Sequence, residues 1–130
     1  VGDHRLGAAA HARDAQQHVL AGEIPRHGHR RFPGRIRRLR PARSIALAEN
    51  CTALIHETTF GPDGVEMARE RKHSTMEDAA RVAREARAEN LIATHFSSRY
   101  DPRQLSRIAD DARNVFESIT LGRDLLEVEI

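Results

Sequence analysis

The sequence has 130 residues, of which 31% are charged, and a formal net charge of +2 at pH 7. This length suffices for one small domain or for part of a larger one. The single cysteine, Cys51, excludes an internal disulfide, and no apolar run approaches the roughly 20 residues that a membrane-spanning helix needs. We therefore expect a soluble protein from a reducing compartment, with the cytoplasm as the predicted location.

The charge is distributed unevenly along the chain. Residues 1–42 contain nine arginines, three acidic residues and five histidines, whereas residues 43–130 contain 12 basic and 16 acidic residues. We predict an irregular or disordered basic segment over 1–42 and a folded domain over 43–130. The sequence begins with Val1, and its charge and composition change abruptly near residue 42. We therefore hypothesise that it is a fragment and that residues before Arg40 include an out-of-frame translation. A genuine basic tail that binds RNA is the alternative.

Residues 43–130 alternate between helical and strand patterns. We predict a short helix over 44–49, a buried strand over 52–55 that ends at His56, and a helix over 65–71. The next helix is predicted to start after Ser74, which has the spacing of a capping box with Glu77. Its predicted inner face, narrow enough to lie close on a sheet, consists of Met76, Ala79, Ala80, Ala83 and Ala86.

The alternation continues towards the end of the chain. A continuous apolar run predicts a strand over 91–94 that ends at His95. Asp101 is a predicted N-cap with Pro102 at the first helical position, and an apolar stripe follows at helical spacing. Two short strands are predicted around Gly122. The resulting β-α-β-α-β order predicts an α/β layered fold.

Three histidines occupy comparable positions at the edges of these elements. His56 and His95 end apolar strands, where α/β proteins place ligand sites, and His73 directly precedes a helix. The amides at that helix start favour an anion. Side chains alternate along a strand, so we expect only one of His56 and Glu57 to line a site.

Resemblance to a known family is carried by three stretches of this sequence, LIHETTF, KHST and ATHFSSRY. In order and spacing they resemble the C-terminal half of ribonuclease Z, the tRNA 3′-processing endonuclease of the metallo-β-lactamase superfamily. Thr58 replaces the alanine of the family's histidine-glutamate-alanine-threonine motif, and the histidine-serine-threonine motif is intact at 73–75. The resemblance covers about residues 40–130 and implies the C-terminal half of an αββα fold.

The resemblance also implies roles for three residues. His95 corresponds to a ligand of one of the family's two zinc ions, and Glu57 and His73 correspond to a proton-donating catalytic pair. These residue types suit phosphodiester hydrolysis, which needs a metal-activated hydroxide and a proton for the departing ribose oxygen. The implied substrate is precursor tRNA, and the full-length family is implied to form homodimers.

Two further residues follow the last motif histidine. Arg99 is a candidate substrate-binding residue, because a planar guanidinium can pair with a phosphate oxygen. The alternative is that Arg99 is a solvated loop residue. Tyr100 is predicted to pack rather than to contact substrate.

Most ligands of a two-zinc site are missing from the sequence. The superfamily's cluster of two histidines separated by one residue and followed by aspartate-histidine does not occur, because HGH at 27–29 continues as Arg30-Arg31. The family's bridging aspartate is also absent before Arg40-Pro41. We therefore predict an isolated chain that is inactive and holds no stoichiometric zinc. The alternatives are another metallo-β-lactamase-fold hydrolase of small phosphodiesters or esters, and a non-enzymatic RNA-binding module.

Overall fold

A computed structural model describes the backbone of Val19–Gly22 and residues 41–129. These ranges contain four strands and four helices, with a short 3₁₀ turn at Pro62–Gly64. In chain order they are β1 (Val19–Gly22), α1 (Pro41–Leu47), β2 (Ala53–Glu57), α2 (Val65–Arg71), α3 (Met76–Glu85), β3 (Asn90–Thr94), α4 (Pro102–Ala112) and β4 (Ile119–Leu121). None of the described helices has the length and apolar character that crossing a membrane requires.

The strands form one sheet in the order β1-β2-β3-β4. The last three strands are parallel, and β1 is antiparallel to β2. Glu57 pairs with Thr94 at the carboxyl ends of β2 and β3. Residues that follow these two strands therefore emerge at the same edge of the sheet.

The core lies between α3 and the sheet. Met76 of α3 is 1% exposed, and Leu54 and Leu91 of the central strands are fully buried. The alanines of the predicted inner face are also fully buried, as expected for a helix packed closely on a sheet: Ala79, Ala80, Ala83 and Ala86. This inner face was thus correctly predicted from the spacing of small side chains.

Some element boundaries confirm the sequence pattern. Helix α2 has the predicted range, and α4 has Asp101 as its N-cap and Pro102 in its first turn. The Asp101 side chain accepts a hydrogen bond from the Gln104 backbone N–H, and the Gln104 side-chain oxygen accepts one from the Asp101 backbone N–H. This reciprocal pair satisfies two amides that the first helical turn leaves unpaired.

Other boundaries correct the prediction. The capping box of α3 uses Thr75 and Asp78, one residue later than predicted, because the Thr75 hydroxyl accepts from the Asp78 amide. Strand β2 continues through His56 and Glu57, since β3 lies alongside and pairs with both.

The two ends of the described region differ from the prediction as well. Helix α1 begins at Pro41 rather than Ser44, and proline is well tolerated in a first turn. After Gly122 the described residues contain no second strand; the Gly122 amide instead bonds the Ala93 carbonyl beside β4.

Among its described residues, the segment predicted to be irregular includes a strand. β1 lies within residues 1–42 and pairs along the edge of β2, from Val19 opposite His56 to Gly22 opposite Ala53. An unpaired strand edge offers hydrogen-bonding groups that such a segment can satisfy. The hypotheses of a disordered tail and of a frame error otherwise concern residues 1–18 and 23–40, outside the described residues.

Candidate functional site

Three loops meet at the carboxyl edge of β2 and β3. Residues 58–60 follow β2, residues 73–75 precede α3, and residues 95–97 follow β3. Phe60 forms a bridge with Thr75, and the Ser97 amide donates to the Thr59 carbonyl at 3.0 Å. These backbone bonds bring Glu57, His73 and His95 together although they are distant in sequence.

Glu57 is a buried carboxylate, 3% exposed, whose two oxygens accept hydrogen bonds. One oxygen accepts from the Ser74 backbone N–H at 2.5 Å. The other accepts from the Thr59 backbone N–H at 3.2 Å and from the Thr59 hydroxyl at 2.7 Å. A buried charge is tolerated when it is bonded in this way, so the loops form a cradle for the carboxylate.

His73 lies beside this carboxylate at the end of a tight turn. Lys72 closes α2 in the left-handed region with φ of 60°, and the His73 amide bonds back to the Ala68 carbonyl. The turn directs the His73 ring so that Nδ1 lies 3.5 Å from the nearer Glu57 oxygen. The predicted catalytic pair is therefore adjacent in space, and its role stays a prediction.

His95 stacks against His73 on the exposed side of the cluster. The two ring centroids are 5.3 Å apart with an interplanar angle of 25°. The backbone of His95 has a φ of 59°, which turns the chain sharply after β3. Non-glycine residues seldom adopt this conformation, although histidine does so more often than most, and such positions concentrate at functional sites.

The cluster offers ligand atoms for a metal ion. One atom each from Glu57, His73 and His95 lies within 4.8 Å of the others. However, both Glu57 oxygens already accept hydrogen bonds from the surrounding loops. The donor set therefore suits an imidazole ligand from the exposed His95 better than a carboxylate ligand. Even with both imidazoles of the cluster, the number of ligands is below what zinc requires, because catalytic zinc usually has three protein ligands.

His56 and Glu57 have different surroundings, and only Glu57 joins the cluster. His56 is 3% exposed, and its Nδ1 donates to the Glu57 backbone carbonyl at 2.6 Å. Burial lowers the pKa of His56, against smaller raising effects of that hydrogen bond and of the Glu57 charge. The ring borders a cavity of about 310 Å³ beside Ser44 and Asp78. Of the three predicted edge histidines, this one has the environment of a neutral structural residue.

Arg99 and Tyr100 lie on the loop before α4. The exposed Arg99 guanidinium is 5.8 Å from the centre of the Tyr100 ring, and its Nη1 is 3.9 Å from the Met67 sulfur. The Tyr100 hydroxyl donates to Asp63 at 2.6 Å and accepts from the Gly61 amide at 2.9 Å. Tyr100 thus anchors this loop to the turn before α2, as a packing residue would. The described contacts of Arg99 do not include the cluster.

Thr59 is the residue of the site to which the motifs gave no role. Its hydroxyl lies within hydrogen-bonding distance of Glu57, His73 and His95, at 2.7, 3.2 and 2.8 Å respectively. The available signal was a threonine two residues after a motif glutamate. Spacing along the chain could not show that the loops around His73 and His95 close upon it.

Comparisons with known proteins identify relatives of part of the chain. No family model matches the chain. Ribonuclease Z of Streptococcus pneumoniae strains CGSP14 and D39 is 41% identical to this chain over 87 residues, which are 67% of this chain and 28% of those relatives. The chain thus spans little more than a quarter of the length of the curated relatives it matches, in agreement with a fragment.

Solved structures show the same relationship. The crystal structure of human tRNase Z, short form, matches with a TM-score of 0.51 and 31% identity, over 66% of this chain and 27% of that one. The metallo-β-lactamase fold protein YhfI from Bacillus subtilis matches with the same TM-score and 27% identity, over 61% and 31% of the two chains. This chain is therefore a segment related to ribonuclease Z that has part of the metallo-β-lactamase fold.

Proposed function

We propose that this chain is part of a zinc-dependent endoribonuclease that removes the 3′ trailer from precursor tRNA by phosphodiester hydrolysis. One observation carries the proposal: Glu57, His73 and His95, from three separate loops, converge around a single hydroxyl at the carboxyl edge of the sheet. The similarity to ribonuclease Z and tRNase Z supports this substrate class.

The proposed proton donor is His73, assisted by Glu57. A carboxylate oxygen lies 3.5 Å from Nδ1 and orients the ring. The second ring nitrogen, Nε2, then delivers the proton to the departing ribose oxygen. Glu57 is held by the Ser74 and Thr59 amides, so the orientation of the pair is fixed before substrate binds.

His95 is the proposed zinc ligand of this segment. Bound zinc would supply a hydroxide nucleophile at neutral pH. The other ligands must come from outside the described cluster, and the sequence lacks the family's main histidine cluster. We therefore propose that the isolated chain is inactive and does not hold zinc at full occupancy.

The proposal also concerns a substrate contact, the oligomeric state and the location of the full-length protein. Arg99 is the candidate contact to a substrate phosphate, since its exposed guanidinium is free of ion pairs within the described residues. Homodimer formation by the full-length protein and a cytoplasmic location also stay predictions. The single, buried Cys51 suits a reducing compartment.

A segment chimera tests the proposal. In it, residues 41–129 of this chain replace the corresponding segment of the Streptococcus pneumoniae ribonuclease Z. We expect the chimera to bind zinc and to release the 3′ trailer from precursor tRNA, whereas this chain alone does neither. A folded, zinc-loaded chimera without cleavage would contradict the proposed function, and two zinc ions per isolated chain by elemental analysis would contradict the incomplete site.

A second candidate is a hydrolase of small phosphodiesters or esters. The likeness to YhfI, a metallo-β-lactamase fold protein, is the observation behind this candidate, since it extends the resemblance beyond tRNA-processing enzymes. Assaying the same chimera on precursor tRNA and on a bis-nitrophenyl phosphodiester separates the two. Cleavage of the small ester without cleavage of the RNA would favour the second candidate.

A further inference from the structure

The Thr59 hydroxyl has three polar neighbours, which is the largest number that a hydroxyl can satisfy. Its oxygen lies 2.7 Å from a Glu57 oxygen, 2.8 Å from His95 Nδ1 and 3.2 Å from His73 Nδ1. A hydroxyl has one proton to donate and two lone pairs to accept with. All three interactions form at once only when one neighbour accepts the hydroxyl proton and the other two donate to the lone pairs, so the arrangement of protons depends on which neighbour accepts.

The Glu57 carboxylate determines that arrangement. An ionised carboxylate can only accept hydrogen bonds, and Glu57 already accepts from the Ser74 and Thr59 amides. The Thr59 hydroxyl must therefore donate its proton to Glu57. Both lone pairs of the hydroxyl then face ring nitrogens, and each of these nitrogens must bear a proton to bond.

We infer that Thr59 is a positioning residue that holds both His73 and His95 as the Nδ1–H tautomer. A neutral histidine carries its proton on one ring nitrogen, so Nε2 of each ring is left with its lone pair. The inference deepens the proposed function and rests on it for its consequence. The Nε2 of His95 becomes available to a metal ion, and the Nε2 of His73 becomes the atom that receives and delivers the catalytic proton.

The position of Thr59 is itself fixed by the backbone. Its amide donates to Glu57 and its carbonyl accepts from the Ser97 amide at 3.0 Å. These backbone bonds hold the Thr59 side chain in place, so the hydroxyl cannot move towards one imidazole ring without losing its hydrogen bond to the other. One side chain thus couples the proton donor to the predicted metal ligand.

The two histidines depend on Thr59 unequally. His73 Nδ1 also lies 3.5 Å from a Glu57 oxygen, which is a second acceptor for the same proton. His95 Nδ1 has the Thr59 hydroxyl as its described partner. Removal of the hydroxyl is therefore expected to release the tautomer of His95 and to leave that of His73 largely in place.

The inference is tested by ¹⁵N NMR of the imidazole nitrogens in the 130-residue chain, at a pH where both rings are neutral. Without metal or RNA, we expect a protonated Nδ1 and an unprotonated Nε2 at both histidines. In Thr59→Val, which keeps the shape of the side chain, the Nδ1–H tautomer of His95 should be lost in favour of Nε2–H. Thr59→Ser restores the hydroxyl and should restore the original tautomer.

Thr58→Val is the matched control. Its hydroxyl donates to the Thr94 carbonyl at 3.0 Å and bonds neither ring, so its removal should leave both tautomers unchanged. Nε2–H at His95 in the unaltered chain, or an unchanged His95 tautomer in folded Thr59→Val, would overturn the inference. Because the spectra need no substrate, these outcomes are distinguishable from failure of the proposed nuclease activity.

Discussion

His56 and His95 occupy equivalent places in the sequence but different environments in the structure. Each follows an apolar run of a central strand. His56 is nonetheless an internal strand residue, buried and bonded to a backbone carbonyl, whereas His95 lies beyond its strand, exposed and bonded to a side-chain hydroxyl. A histidine at a strand end is thus a candidate for chemistry when its ring reaches other polar side chains.

The largest expected effect comes from replacing the proposed proton donor in the segment chimera. His73→Ala should lower turnover on precursor tRNA by on the order of a hundredfold or more, because general acid catalysis contributes about 10²–10⁴-fold. Zinc content, measured by elemental analysis, should not change.

The neighbouring exposed Arg71 provides the control for this variant, and Arg71→Ala should retain full turnover. Loss of zinc in His73→Ala would assign the residue to the metal instead of the proton. The role proposed for His73 would then be that of a zinc ligand and not that of a proton donor.

The next effect concerns the metal. His95→Ala in the chimera should lower zinc affinity by more than about tenfold, since even indirect support of a ligand contributes this much. Competition with a chromogenic chelator measures the change. Unaltered zinc affinity, together with lowered turnover, would show that His95 acts on the substrate and not on the metal.

His56 should have its effect on stability rather than on catalysis. Burial lowers its folded-state pKa below the ordinary value of 6.5, so the unfolded chain takes up a proton first as the pH falls. Its contribution to stability is complete above 6.5 and declines below it, by up to about 1.4 kcal/mol for each pH unit. Urea unfolding of the 130-residue chain at several pH values measures this slope.

His56→Asn is the matched variant, because an amide can still donate to the Glu57 carbonyl but does not titrate in this range. Its free energy of unfolding should depend less on pH than that of the unaltered chain. Equal slopes would mean that His56 is solvated in solution, and the environments of His56 and His95 would then be alike.

Local patterns predicted much of the fold and the members of the cluster. Small residues at helical spacing identified the inner face of α3, and Asp101-Pro102 identified the start of α4. The shift of the α3 cap from Ser74 to Thr75 was not predictable, because both hydroxyls have an acidic residue three positions later. Which residue becomes the cap depends on the Glu57 carboxylate, which accepts a hydrogen bond from the Ser74 backbone N–H across the sheet edge.

The part of the site that the sequence missed depends on contacts between loops. The roles of Glu57, His73 and His95 were assigned by resemblance, whereas the role of Thr59, the threonine of the first motif, required knowledge that two loops close on one hydroxyl. The same long-range pairing extends β2 through His56, which the sequence placed after the strand. Secondary-structure propensity is a local property, so it contains no information on the closure of the loops around Thr59 or on the pairing of β2 with β3.

The smallest expected effect comes from replacing Arg99, which lies on the exposed loop beside the buried cluster. Arg99 is solvent-exposed and touches Tyr100 and Met67, so Arg99→Ala should barely change stability. If Arg99 pairs with a substrate phosphate, its removal in the chimera should raise KM for precursor tRNA within about fivefold and leave kcat unchanged, because an exposed ion pair contributes at most about 1 kcal/mol. The dependence of log KM on log salt should also become shallower by about 0.7–0.9 for the lost phosphate contact. Arg103→Ala, an exposed arginine of α4, is the control; identical values for the two variants would assign Arg99 to the solvated surface.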